Sequence, residues 1–309
     1  MAEVGTMEDL RYASAVARIR VLEKSLLSGE KIRRMEDAPD VPGAWQETKG
    51  WGLKETGDIN AGDAGEINAF LLSELRYTRD LVLSLALEKN IAELFFIKYD
   101  LQNIRAALKG MGDEGISDIG TVPARKIKSA MESSDFTGLR PMLRKIMSAR
   151  IEELRAEPEN AGAVLDADAY RLSMEEINGT EFPSREFVRE VFRTEIDIHN
   201  LRSLARSRRL SRKADFFSRI ALDGGTLEKK FLVDRYESET GGLDSMVSSR
   251  LQESSARLKK LYESSMYTAF GFEPVITYLK MRERDARLIR GIMLSKIYGE
   301  QLDTADYMV

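Results

Sequence analysis

The 309 residues carry 47 basic and 51 acidic side chains, are 43% hydrophobic and contain no cysteine. That hydrophobic fraction excludes a disordered chain, and a formal net charge of −4 excludes the overall basic field of a nucleic-acid binder. The lack of cysteine removes disulfides, thiol catalysis and thiolate metal sites together, a composition that fits a reducing cytoplasm.

The N-terminal MAEVGTMEDL is acidic and has no apolar core, so no signal peptide is expected. No stretch reaches the roughly 18 apolar residues of a spanning helix. The most apolar one, Leu81 to Leu87, ends at Glu88 and Lys89, so membrane contact is expected only through partners. Met7 to Leu27 predicts a long helix closed by Ser28-Gly29, and a shorter one follows from Glu30 to Ala38, stopped by Pro39. Gly50 to Gly65 reads as a glycine-rich loop. Gly50-Trp51-Gly52 is not a phosphate loop, because no strand precedes it and no Gly-Lys-Ser or Gly-Lys-Thr follows. Helix resumes from Glu66 to about Asn90 and leads at once into IAELFFIKYDLQNIRAALKG, Ile91 to Gly110.

After Gly112 the pattern restarts. Val122-Pro123-Ala124 opens a helix through Arg125 to Met131, a turn falls at Asp135, and a long helix is expected from Leu139 to Ala156. A loop from Glu157 to Ala163 and a helix from about Asp166 to Asn178 precede FVREVFRTEIDIHNLRSLAR, Phe187 to Arg206. The third stretch has helices from Phe216 to Leu222, Leu227 to Tyr236 and Leu243 to about Ala269, then PVITYLKMRERDARLIRGIM, Pro274 to Met293. No alternating strand pattern occurs, so the fold class is all-α.

The three quoted helices share an apolar stripe and a polar signature: Asp100, Asn103 and Arg105; Asp197, Asn200 and Arg202; Asp285 and Arg290, with Leu288 in place of the asparagine. Acidic turns ahead of them repeat in phase, Asp40-Val-Pro-Gly43, Asp135-Phe-Thr-Gly138 and, more loosely, Glu239-Thr-Gly-Gly242, where glycine suits a turn of positive φ and the acid a cap. The expectation is an internal triplication with repeats at 1–112, 113–214 and 215–309, related by pseudo-threefold symmetry. Acid–base carboxylates work in convergent pairs, whereas these aspartates recur singly, so a scaffolding role is expected, the arginine meeting a carboxylate on a neighbouring helix.

His199, the sole histidine, lacks the partners a metal or catalytic site needs. Arg206, Arg208, Arg209, Arg212 and Lys213 form a basic run that reads as a solvated helix end or a patch for an anionic partner surface or lipid headgroups. Nucleic acid is not expected, since no aromatic residue is interleaved.

Three segments resemble one known family, the C subunits of archaeal and bacterial V/A-type rotary ATPases, equivalent to the d subunits of vacuolar ATPases. They are Tyr12 to Glu23, Ile97 to Arg105, and Glu273 to Leu279 followed by Leu288-Ile-Arg290. The resemblance implies a funnel of three helical domains. It also implies a non-enzymatic central-stalk part of an ATP synthase or ATPase, seated between the rotating shaft subunits D and F and the membrane proteolipid ring, and coupling ATP turnover to proton or sodium transport. No cofactor, metal or catalytic residue and no obligate homo-oligomer is expected, and the location would be the cytoplasmic face of the cell membrane. The alternative from the residues alone is a helical-repeat adaptor that binds a helix or peptide in an unrelated complex.

Overall fold

The computed structural model describes residues 10–53, 59–112, 116–238 and 242–299. Every regular element among them is helical and none is a strand. In chain order the helices are α1 (Ala13–Leu22), α2 (Gly29–Asp37), α3 (Val41–Gln46), α4 (Ala64–Leu85), α5 (Lys89–Leu94), α6 (Ile97–Leu108), α7 (Ala124–Ser133), α8 (Pro141–Ala156), α9 (Ala161–Gly179), α10 (Arg185–Arg209), α11 (Ala214–Ile220), α12 (Lys229–Glu237), α13 (Leu243–Ser265) and α14 (Glu273–Tyr298). They pack into two compact units, one of residues 93–264 and one that joins the described residues before 93 to those after 264.

In the unit built from both chain ends, α14 inserts Leu288, Ile289, Ile292 and Met293 among Ile32 and Met35 of α2, Trp51, and Ile67, Phe70 and Leu71 of α4. Phe70 meets Trp45 and Trp51 edge-on, with ring centroids 5.3 and 6.0 Å apart. Each such large side chain taken from water contributes about 1.5–3 kcal/mol, so the end of the chain is tied to its beginning mainly by apolar burial. Helix α1 is fastened to the same unit by polar ties: the Tyr12 hydroxyl accepts from the Leu87 amide at 2.9 Å and donates to Glu88, while Arg20 donates to the Thr268 carbonyl at 2.9 Å.

The 93–264 unit has two cores. One joins Ile97, Leu101 and Ile104 of α6 to Ile127 of α7, Leu143, Ile146 and Met147 of α8, and Leu165 of α9. The other joins Leu201 and Leu204 of α10 to Phe217 of α11, Leu232 and Tyr236 of α12, and Leu243 and Val247 of α13. In all three cores a helix bearing the polar signature packs with the helices that follow it, except that α14, with no helix after it among the described residues, packs with those that open the chain.

Several boundaries differ from expectation. The long first helix is shorter than Met7 to Leu27: a 3₁₀ turn at Leu10–Tyr12, α1, and a second 3₁₀ turn at Glu23–Ser25, with Met7 to Asp9 outside the described residues. Ser28 does not close that helix but opens the next, its hydroxyl accepting from the Lys31 amide at 3.2 Å as an N-cap. The first signature helix is broken between α5 and α6, and Phe95, in the break, packs edge-on against Phe192 at 5.2 Å. The acidic turns use their glycines in different ways. A Cβ on Gly43 would lie 2.9 Å from the capping Asp40 carboxylate, so there glycine permits a close approach, whereas Gly242 has φ +101°. Gly138 meets neither condition, and Asp135 caps Thr137 instead. Glu239 lies outside the described residues.

Candidate functional site

The signature aspartates are buried, and each grips the backbone just ahead of a short helix. Asp100 of α6 accepts from the Thr121 amide at 2.9 Å, the Thr121 hydroxyl at 2.6 Å and the Val122 amide at 3.1 Å. Asp197 of α10 repeats the pattern with the amide and hydroxyl of Thr226 and the Leu227 amide, both amides at 2.9 Å. Asp285 of α14 accepts from the Leu27 amide at 2.9 Å. Leu27, Val122 and Leu227 each stand two residues before a helix start, at Gly29, Ala124 and Lys229. The three contacts therefore fall on matching positions.

Two glycines make the approach possible. A Cβ on Gly120 would sit 2.1 Å from Asp100 Oδ1, and one on Gly225 would sit 2.3 Å from Asp197 Oδ1. Gly-Thr followed by Val or Leu is thus the receiving half of the motif in two copies, and sequence reasoning missed it. Its signal was present as Gly120-Thr121-Val122 and Gly225-Thr226-Leu227.

The asparagines hold the same loops from one turn further along. Asn103 accepts from the Ser117 amide at 2.9 Å and donates to the Ser117 carbonyl at 2.8 Å. Asn200 makes the same pair with Leu222, at 2.7 and 2.9 Å. A side-chain amide that satisfies both backbone groups of one residue works as a substitute strand contact where no strand exists.

In the third copy Leu288 joins the apolar core, and a different polar group takes over. Arg282, one turn before Asp285, donates to the Trp51 carbonyl at 2.6 Å and to Glu74 at 2.9 Å, and its guanidinium lies 3.7 Å from the Trp51 ring centre. The Trp51 indole in turn donates to Asp285 at 3.2 Å, and Glu74 accepts from the Leu53 amide at 2.7 Å. The side chains of Arg282 and Glu74 are both 0% exposed. Neither Arg282, Glu74 nor the role of Trp51 was foreseen.

The arginines of the signature behave unlike the aspartates. Arg105 reaches Asp166 of α9 at 3.3 Å, with both side chains about a quarter exposed. Arg202 and Arg290 are exposed. Among the described residues the interhelical arginine–carboxylate contact expected in each copy is present at Arg105 alone, and the register between helix and loop is held by aspartate and asparagine acting on backbone groups.

Burial pushes the Asp100 carboxyl up to about 6 against the three donors that favour its ionised form. Burial likewise raises Asp285, while the neighbouring Arg284, at 2.7 Å, opposes the rise. In each case the aspartate oxygens are taken up by amide, hydroxyl, indole or guanidinium donors, which is an arrangement for holding a loop.

The basic run divides. Arg208, half-buried, lies over the Tyr236 ring at 5.7 Å and Arg212 over the Phe216 ring at 5.4 Å, and Arg206, Arg209, Arg212 and Lys213 are exposed. Among the described residues no helix is long and apolar enough to cross a membrane.

A family model described as ATP synthase (C/AC39) subunit matches residues 15–306, nearly the whole chain. No curated protein matches it.

Proposed function

The chain belongs to the ATP synthase (C/AC39) subunit family, which makes it a V/A-type rotary ATPase component of the C/d kind, and from that premise we propose that it is the non-catalytic part of the central stalk. It couples the rotating shaft, subunits D and F, to the proteolipid ring, and so links ATP hydrolysis or synthesis to proton or sodium movement. It works on the cytoplasmic side of the membrane and touches it through the ring.

The observation that supports this reading is the repeated grip of Asp100, Asp197 and Asp285 on matching backbone positions. A part that transmits torque must resist shear between its helices. Buried carboxylates tied to backbone amides resist it without relying on long flexible side chains. The same grips favour a build of three related repeats, at about 1–112, 113–214 and 215–309, in which each signature helix closes the core of the next repeat and the last closes the first.

Purification of tagged full-length protein from its native membranes tests the assignment. Subunits D and F and a ring-containing membrane fraction are expected to come down with it. Recovery of neither overturns the reading.

A further inference from the structure

Within the 93–264 unit, a cluster of charges surrounds His199, outside the aspartate grips. Its imidazole is mostly buried and held below its ordinary pKa first by that burial, and the charged groups that act on it are Asp166 of α9, Arg105 of α6, and Arg206 and Arg202 of α10 itself. Tyr170 of α9 stands beside it, ring centres 6.1 Å apart. Along α10, Glu195, His199, Arg202, Arg206 and Arg209 step by three or four and so share one stripe of the helix.

Of the charged groups that act on His199, three are the guanidiniums of Arg105, Arg202 and Arg206 and one is the Asp166 carboxylate, so positive charge is in excess, and Arg209 continues the stripe one turn on. Only Arg105 is committed, to Asp166 at 3.3 Å. Among the described residues no carboxylate forms an ion pair with Arg202, Arg206 or Arg209, all of them exposed. Of the two basic residues turned onto aromatic rings, Arg208 is off the stripe and Arg212 lies beyond the end of α10.

We propose that this stripe of α10, with Arg105 beside it, docks an acidic helix of a partner polypeptide whose carboxylates recur one turn apart. The inference rests on the reading of the chain as part of a larger complex and names the chemistry of one of its partner faces. The spacing is the reason for a helix: side chains one turn apart on α10 are about 5.4 Å apart along the axis, the same interval at which a second helix presents its own. Guanidinium is the reason for carboxylate, since its planar fork takes two oxygens at once. Arg105 decides against a lipid surface. It sits only about a quarter exposed beside the sheltered imidazole, where a protruding side chain reaches and a flat layer of headgroups does not.

The test uses the full-length chain and a labelled helical alanine peptide bearing glutamates one turn apart, with the glutamine version of the same peptide, phosphatidylserine vesicles and inorganic tripolyphosphate as the other probes. The glutamate peptide is expected to bind, more weakly as salt rises, and R202Q/R206Q/R209Q is expected to lose roughly tenfold or more in affinity. R212Q/K213Q, which removes as much charge per site beyond the end of α10, is expected to bind as the parent does. The charge-reversed R202E/R206E/R209E chain, checked by its melting curve for an intact fold, is expected to bind a lysine version of the peptide instead. Equal binding by parent and triple variant, equal binding of the glutamine peptide, or preference for vesicles or tripolyphosphate overturns the proposal. Failure here with D, F and ring still copurifying sinks only the docking face, whereas loss of that copurification sinks the central-stalk reading itself.

Discussion

Asp197 and Arg202 lie on the same helix within two turns of each other, and the sequence presents them as members of one signature. The structure separates their roles. Asp197 is 1% exposed and satisfies three donors of Thr226 and Leu227, so Asp197→Ala leaves partly buried amides without their acceptor. That change is expected to cost about 2–4 kcal/mol of unfolding free energy in urea. Arg202→Ala, by contrast, alters an exposed side chain and is expected to stay within about 0.5 kcal/mol of the parent. A loss at Arg202 as large as that at Asp197 would show that the arginine holds the fold after all. Gly225→Ala tests the receiving half. Its new Cβ would fall 2.3 Å from Asp197 Oδ1 and 3.1 Å from Ile196, so a drop in stability of roughly 2 kcal/mol or more is expected from overpacking against a fixed carboxylate.

Asp100 adds a pH dependence at the same scale. Its folded pKa of about 6 lies above the ordinary aspartate value of 3.8, so the folded chain holds this proton more tightly than the unfolded one. The penalty for burying the charge is full above pH 6 and is relieved as pH falls from 6 towards 4. This group therefore makes the protein gain stability over that window as acid is added. Denaturation of parent and Asp100→Asn at pH 7.5 and pH 5 checks the sign. The parent is expected to improve relative to the variant at the lower pH, and an unchanged difference would refute the shift.

At the scale of elements, the helices are set by their caps as much as by their apolar stripes. Asp63 caps α4, accepting from the Gly65 amide at 2.7 Å and the Glu66 amide at 3.2 Å, and it stands next to the positive end of a 22-residue helix. Asp63→Ala is expected to cost about 1 kcal/mol, measured by thermal or urea unfolding, with Asp63→Asn recovering most of it. The same logic accounts for Ser28: the sequence reads Ser28-Gly29 as the close of the first helix, but a hydroxyl that accepts from the Lys31 amide makes it the start of the next. Periodicity likewise runs unbroken from Ile91 to Gly110, while the helix does not. Phe95 and Phe96 are both buried at the break, and a single straight helix has too narrow an apolar face to bury both along with Ile91, Ala92 and Leu94.

At the scale of the whole molecule, residue 282, late in the chain, is joined to residues 51 and 74, early in it. Arg282 and Glu74 are a fully buried pair, and removing one partner strands the other charge away from water. Arg282→Ala is expected to cost about 3–5 kcal/mol. The double change Arg282→Met with Glu74→Leu is expected to recover much of that loss, because apolar groups of similar volume need no partner. Equal instability of the single and double variants in urea denaturation would mean that Trp51 stacking and the carbonyl contact, and not the ion pair, hold this junction.

The helical class, the three signature helices and the membership that three short segments suggested were all legible in the amino-acid sequence. Helical periodicity and a repeated Asp-x-x-Asn pattern are local features, set by neighbours a turn apart. What each aspartate grips was not legible, because Thr121, Thr226 and Leu27 lie far along the chain from their carboxylates and no periodic rule connects a helix to the loop it holds. Arg282 with Glu74 was hidden for the same reason, and Arg202 and Arg290 show that a recurring residue type is not always a recurring contact, since both are exposed where Arg105 is partly buried. Burial decides between those readings, and burial belongs to the packed chain: the Asp197 carboxylate, facing backbone amides in a dry interior, becomes a bolt, while Arg202, five residues along, is exposed.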